Sequence, residues 1–141
     1  MTAVSSLVRA FVDQVFNEEN LAIVDELVSV GSPIHIPGWG MPANRLGLKQ
    51  MIVNLRAAFP DFYCTVDDEI KEKNRSAALW TMVGTHKGLF FGNLPTGRRV
   101  ETQGIIYVHL ADRRIAEGWF LVDQMSILQQ LGIVPPTRGI T

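Results

Sequence analysis

The feature that most constrains this chain is a change of hydrophobic period near Phe62. Upstream, Leu7, Val8, Phe11, Val12, Val15 and Phe16 recur at helical spacing, one apolar stripe on a 3.6-residue turn. Asn17 to Asn20 break that stripe, and Asn20 is placed to cap a second helix carrying Leu21, Val24, Leu27 and Val28 up to Gly31. Ile34 to Ile36 reads as a short strand before the loop Pro37-Gly38-Trp39-Gly40. A third helix is predicted from about Asn44, with Leu48, Met51, Ile52, Leu55 and Phe59 inward and Pro60 ending it. Downstream the pattern predicts strands over 62–71, 77–86, 100–110 and 115–125, with a long loop at 88–97 and a helical turn over 126–131. Helices first and an antiparallel sheet afterwards make an α+β domain. At 141 residues, 1–141 is expected to be one domain.

The middles of the last two strands, at 105–108 and 118–122, are apolar on both faces. Ile115, Glu117, Trp119, Leu121 and Asp123 share one side of the final strand and Ala116, Gly118, Phe120, Val122 and Gln124 the other, and between residues 118 and 122 neither is a clean solvent face. Such a sheet needs two covers. The helices supply one, and a second copy of the chain is the expected other, which predicts a homodimer.

Composition excludes several classes. Thirteen basic against fourteen acidic residues, a net charge of −1, do not suit a nucleic-acid binder. One cysteine, Cys64, makes neither an internal disulfide nor a thiolate zinc site. No apolar run approaches the roughly 20 residues of a membrane span, and Met1 to Ala10 lack a signal peptide's apolar stretch. A cytoplasmic protein is expected, with no membrane or nucleic-acid partner. Three scattered histidines predict no metal site, and the glycines at 88, 92 and 97 do not form a phosphate cradle. No cofactor is expected.

Asp123 is the outstanding candidate for chemistry. It follows the apolar run Trp119 to Val122, where a charged side chain is costly to bury. Facing an enclosed apolar space, it would have a raised pKa suited to moving protons. Alternatively it ends the strand and caps the turn that follows, near Ser126. A three-residue turn at Asp112 to Arg114 sets Gln103 opposite Asp123, Tyr107 opposite Trp119 and His109 opposite Glu117. A two-residue turn shifts Asp123 to Thr102 instead. His86 and Gln103 are the first candidates for its polar neighbours, while His109 lies too far along the strand. His35, between Ile34 and Ile36, fits a half-buried, hydrogen-bonded core position better than a catalytic one.

Pro37 two residues after His35, Phe59-Pro60-Asp61, Gly84-Thr85-His86-Lys87-Gly88 and Leu94-Pro95-Thr96-Gly97 form an ordered series. Arg114-Ile115-Ala116-Glu117-Gly118-Trp119, Asp123 and Gln129-Gln130-Leu131-Gly132 continue it. The series, over about residues 4 to 135, resembles the SnoaL-like polyketide cyclases, also called ester cyclases. The resemblance implies a nuclear-transport-factor-two-like cone: a curved antiparallel sheet, helices on its concave face, a deep apolar pocket between them, and commonly a dimer. It implies an acid/base role for Asp123 in intramolecular aldol ring closure. His35, His86, Gln103, Tyr107 and Trp119 are pocket candidates for an apolar, polyketide-like substrate. Two departures stand out: Asp112-Arg113 replaces the usual Asp-Gly turn, and Leu79-Trp80 stands where relatives often carry arginine. A non-catalytic small-molecule-binding dimer is the alternative. An epoxide hydrolase is a weaker one, as no second acid accompanies Asp123.

Overall fold

The computed structural model describes residues 6–135. Helix α1 spans Leu7–Phe11, with the Ser6 hydroxyl accepting the Arg9 N–H at its start. It runs on into a π-helical stretch, Val12–Asn17, in which the Glu18 N–H donates to the Asp13 carbonyl five residues back. The Asn17 amide then closes on β2 (Tyr63–Lys71): Nδ2 donates to the Cys64 carbonyl and Oδ1 accepts the Cys64 N–H, at 2.8 and 2.7 Å. This occupies backbone groups that an edge strand would otherwise leave open. Helix α2, Ala22–Leu27, begins after Leu21 without a side-chain cap, so Asn20 does not play the capping part its composition suggests.

Strand β1 is only Ile34–His35, and α3 covers Arg45–Ala58. Asn44 caps α3 through Gly47, where an added Cβ would lie 1.7 Å from the Pro42 carbonyl oxygen. Strands β3 (Arg75–Thr85), β4 (Arg99–Ala111) and β5 (Arg114–Val122) follow, then α4, Gln124–Gln130. The curved sheet has the order β1-β5-β4-β3-β2 and the helices lie across its concave face. From β2 to β5 the sheet is antiparallel as expected. As a whole it is mixed, because β1 pairs parallel to β5, Ile34 with Gly118 and His35 with Trp119.

The β4–β5 hairpin resolves the register question in an unforeseen way. The turn is the two-residue one, with Asp112 and Arg113 both at positive φ, 52° and 62°. That geometry matches the strand twist and is usually supplied by Asn or Gly. An irregularity between His109 and Leu110 then moves the pairing by one residue, restoring His109 opposite Glu117 and Tyr107 opposite Trp119.

The core lies between helices and sheet. Phe120 packs on Phe11 and Phe16 with ring centroids 5.7 and 6.4 Å apart. Trp80 lies against Gly104, where a Cβ would come within 2.1 Å of its Cζ2. The deep pocket implied between the two layers is thus filled by aromatic rings. Burial pushes the Cys64 thiol up to about 12, so it stays protonated at neutral pH. Among the described residues no helix is long and apolar enough to cross a membrane.

Asp61, just past α3, is held by the end of β3. Thr85 donates its N–H to Oδ1 and its hydroxyl to Oδ2, both at 2.7 Å, and these bonds hold the carboxyl below its ordinary range. A depressed folded-state pKa adds stability that is complete above the unfolded value, about pH 4, and is lost as pH falls through the folded one. Asp61→Asn should therefore flatten the acid limb of stability below about pH 4 and leave the neutral region nearly level. Denaturant unfolding at a series of pH values measures this.

Candidate functional site

Six residues were singled out by sequence, and the fold separates them into three places. His35, Tyr107 and Trp119 meet on the outer face of the sheet. The pleat puts Tyr107 and Trp119 on the side away from the helices, and β1 lays His35 beside Trp119, rings stacked at 4.9 Å. Tyr107 and Trp119 are 5.2 Å apart. Two further residues join them. Glu117 Oε2 lies 2.8 Å from His35 Nε2, its Oε1 is 3.9 Å from His109 Nδ1, and His109 Nε2 is 3.1 Å from the Tyr107 hydroxyl. Arg75 approaches from β3, and its hydrogen bond to Tyr107, with Glu72 nearby, raises its already high pKa.

Glu117 and His109 were paired by the register expectation but not proposed as site residues. The signal was available: a long strand pair carrying Tyr107, His109 and Glu117 on the face opposite Phe120 and Ile106. Strand spacing sets His109 far from Asp123, which lies at the other end of β5, so a site centred on Asp123 does not include it. The cluster is a hydrogen-bonded acid/base set, a third or more exposed at Glu117, His35 and His109. Its apolar surroundings on the same face, Leu79, Ile105 and Leu121, are also exposed.

Asp123 occupies the second place. β5 ends at Val122, so residue 123 is not in the strand as expected. It is the N-cap of α4, and Oδ1 accepts the Ser126 N–H at 3.0 Å. The side chain is exposed rather than desolvated, a correction to the enclosed position expected for it. It borders a recess of about 560 Å³ with Gly38, Phe91, Val122, Gln124, Met125 and Leu128. Gln103 meets Asp123 only through the backbone, where its carbonyl accepts the Asp123 N–H, and its own position is exposed.

Phe91 also lines a second recess, of about 650 Å³, with Trp39, Met41, Asn54, Ala57 and the loop from Gly88 to Gly92. Phe90 and Phe91 are at this end of the molecule, whereas Trp119 and Leu121 belong to the outer face.

His86 is in the third place, fully buried between Phe59 and Phe90. Nδ1 is engaged by the Thr96 hydroxyl and N–H, at 3.0 and 3.1 Å, which shapes the 88–97 loop. It is not a neighbour of Asp123. Among the described residues, no three or more His, Cys, Asp or Glu side chains are grouped to hold a metal ion.

Helices across the concave face of a curved sheet define a nuclear-transport-factor-two-like α+β fold. A model of the SnoaL-like polyketide cyclase family matches residues 6–131, and the chain belongs to that family. IdmH from Streptomyces antibioticus is 30% identical, with 89% of this chain and 96% of that one covered and a TM-score of 0.79. TsrD from Streptomyces laurentii is 23% identical over 91% of this chain and 93% of its own, with a TM-score of 0.78. A SnoaL-like polyketide cyclase from Agrobacterium tumefaciens, 22% identical, covers 92% and 100% at a TM-score of 0.69. No curated protein matches the chain.

Proposed function

We propose that the chain is a cofactor-independent cyclase or isomerase for an apolar, polyketide-like substrate, acting in the cytoplasm as a homodimer, with Asp123 as its acid/base. Membership of the polyketide cyclase family supports the reaction class. The observation that carries the placement is Phe91, which borders both the recess beside Asp123 and the aromatic recess on α3. A flat substrate lying along both would bring a carbon next to a carbonyl up to the carboxylate.

Asp123 is in water in the free protein. A substrate filling the recess displaces that water and brings its acidic C–H up to the carboxylate oxygen. Asp123 would take the proton from the carbon, leaving an enolate delocalised over neighbouring carbonyls. That carbanion attacks a second carbonyl of the same molecule, and the new alkoxide takes the proton back. Atoms balance without any added reagent.

Ala57 is exposed on α3 and lines the aromatic recess, so Ala57→Phe should fill it without disturbing the core. Turnover of a linear poly-β-ketone ester, followed by chromatography, is expected to fall at least tenfold, about 1.4 kcal/mol, with an unchanged melting temperature. Full turnover in that variant would remove the recess from the mechanism.

Binding without turnover is the second reading. It is favoured by the cap that engages Asp123 and by the apolar lining of the recess on α3, from Trp39, Met41, Phe90 and Phe91. Exposed Leu79, Ile105 and Leu121 on the outer face support the homodimer. Light scattering at micromolar concentration should give twice the mass of one chain, and Leu121→Lys should halve it.

A further inference from the structure

We propose that the recess between α3 and the 88–92 loop binds a neutral, flat molecule through a carbonyl oxygen, and that the Trp39 indole N–H is the donor that anchors it. The proposal rests on an apolar small molecule occupying this end of the protein, and adds the polar contact that orients it.

Trp39 is only 5% exposed, and its Nε1 has no hydrogen-bond partner. An indole N–H can only donate, and burying one unpaired is costly. Trp80 Nε1 and His86 Nε2 are unpaired too, but neither residue lines this recess. Trp39 does, in a loop held in place from α4. The Gln124 side chain donates to the Gly38 carbonyl at 3.1 Å, and Gly38, at φ 84°, has no room for a Cβ beside Gln124 Oε1.

The other walls define the ligand's character. Asn54 is the one other polar side chain in the lining, and no charged residue is present. A charged ligand would be desolvated with no counter-ion, so the occupant is neutral where it enters. Phe90 and Phe91 stand 5.9 and 5.1 Å from the Trp39 ring, walls that favour a flat molecule. The volume, about 650 Å³, falls within the usual range for small-molecule sites.

One wall is fixed and another can yield. Lys87 and Gly88 both donate to the Ala58 carbonyl, at 2.9 and 3.1 Å, and a Cβ on Gly88 would sit 2.1 Å from the Ala57 carbonyl oxygen. The loop is therefore pressed onto α3 at this point. Phe91, in contrast, is 48% exposed, has φ 47°, and is followed by Gly92. Its ring is the wall free to rotate, and the proposed bond to the buried indole nitrogen requires that rotation.

Two probes of equal shape test this by calorimetry: anthraquinone-2-sulfonate, with ring carbonyls, and anthracene-2-sulfonate, without them. Their sulfonates remain in water. The parent protein should bind the quinone about five- to tenfold more tightly, the range one hydrogen bond supplies. Trp39→Phe should bring that ratio to about one and leave anthracene binding as it was. Equal affinities in the parent, a ratio preserved in Trp39→Phe, or no binding of either probe overturns the proposal. Should Trp39→Phe not fold, the assigned Trp39 indole N–H resonance of the parent decides. It should move downfield with the quinone and not with the anthracene, and a resonance unmoved by both overturns the proposal. Asp123→Asn is expected to keep the binding ratio, so the failure of either idea is visible without the other.

Discussion

Asp123→Asn is expected to lower turnover by about 10²–10⁴-fold while melting within a degree or two of the parent protein. The separation is possible because Asp123 has two separable uses. Its Oδ1 accepts the Ser126 N–H and starts α4, and an asparagine oxygen does the same, since Asn and Asp are nearly equal caps. An amide cannot take a proton from carbon. Asp123→Ala loses both uses, and should cost about 1 kcal/mol of stability as well as turnover. Initial rates with melting curves for the two variants form the measurement. If Asp123→Asn retains full turnover, Asp123 is only a cap, and the Glu117–His35 pair on the outer face becomes the acid/base to examine next.

Phe120→Ala is expected to destabilise the fold by about 3–5 kcal/mol, a large share of what a domain of this size possesses. The ring is 2% exposed and lies among Phe11 and Phe16 on the helix side of β5. Removing it leaves a cavity bordered by two large rings and by strand backbone, none of which can move far. Denaturant unfolding monitored by circular dichroism reads the loss. A change below about 1 kcal/mol would mean that the space between helices and sheet is open rather than filled, and the deep pocket implied by the family would be restored.

Most of the architecture was legible along the chain. The apolar stripes of α1 and α3, and the alternation that begins at Phe62, are local signals, each set by the period of the structure they form. Asn44 was found as the start of α3 because its capping bond reaches only three residues ahead. β1 was seen as a strand, but its parallel pairing with β5 was not, as Ile34 and Gly118 are far apart in sequence and nothing local in either specifies the other's direction.

The site was less legible, and for a related reason. Tyr107 opposite Trp119 and His109 opposite Glu117 followed from the hairpin, although the turn proposed to produce them was one residue too long and a strand irregularity makes up the difference. A single such irregularity reverses which side chains share a face, and no local pattern announced it. Asp123 was read as the end of a strand when it is the beginning of a helix. The two differ in whether the carboxylate is enclosed, and the capping bond to Ser126 was the alternative already visible in the sequence.

By itself, then, the amino-acid order determined the elements, their sequence along the chain, and the family, because these depend on periodicity and on short strings of residues. Only the tertiary structure decided that aromatic rings fill the space beneath the sheet, that His35 meets Glu117 across the outer face, and that Trp39 and Asp123 border neighbouring recesses. Those are contacts between residues distant in the chain, fixed by how strands register and how side chains share volume, and neither quantity is written in any one segment.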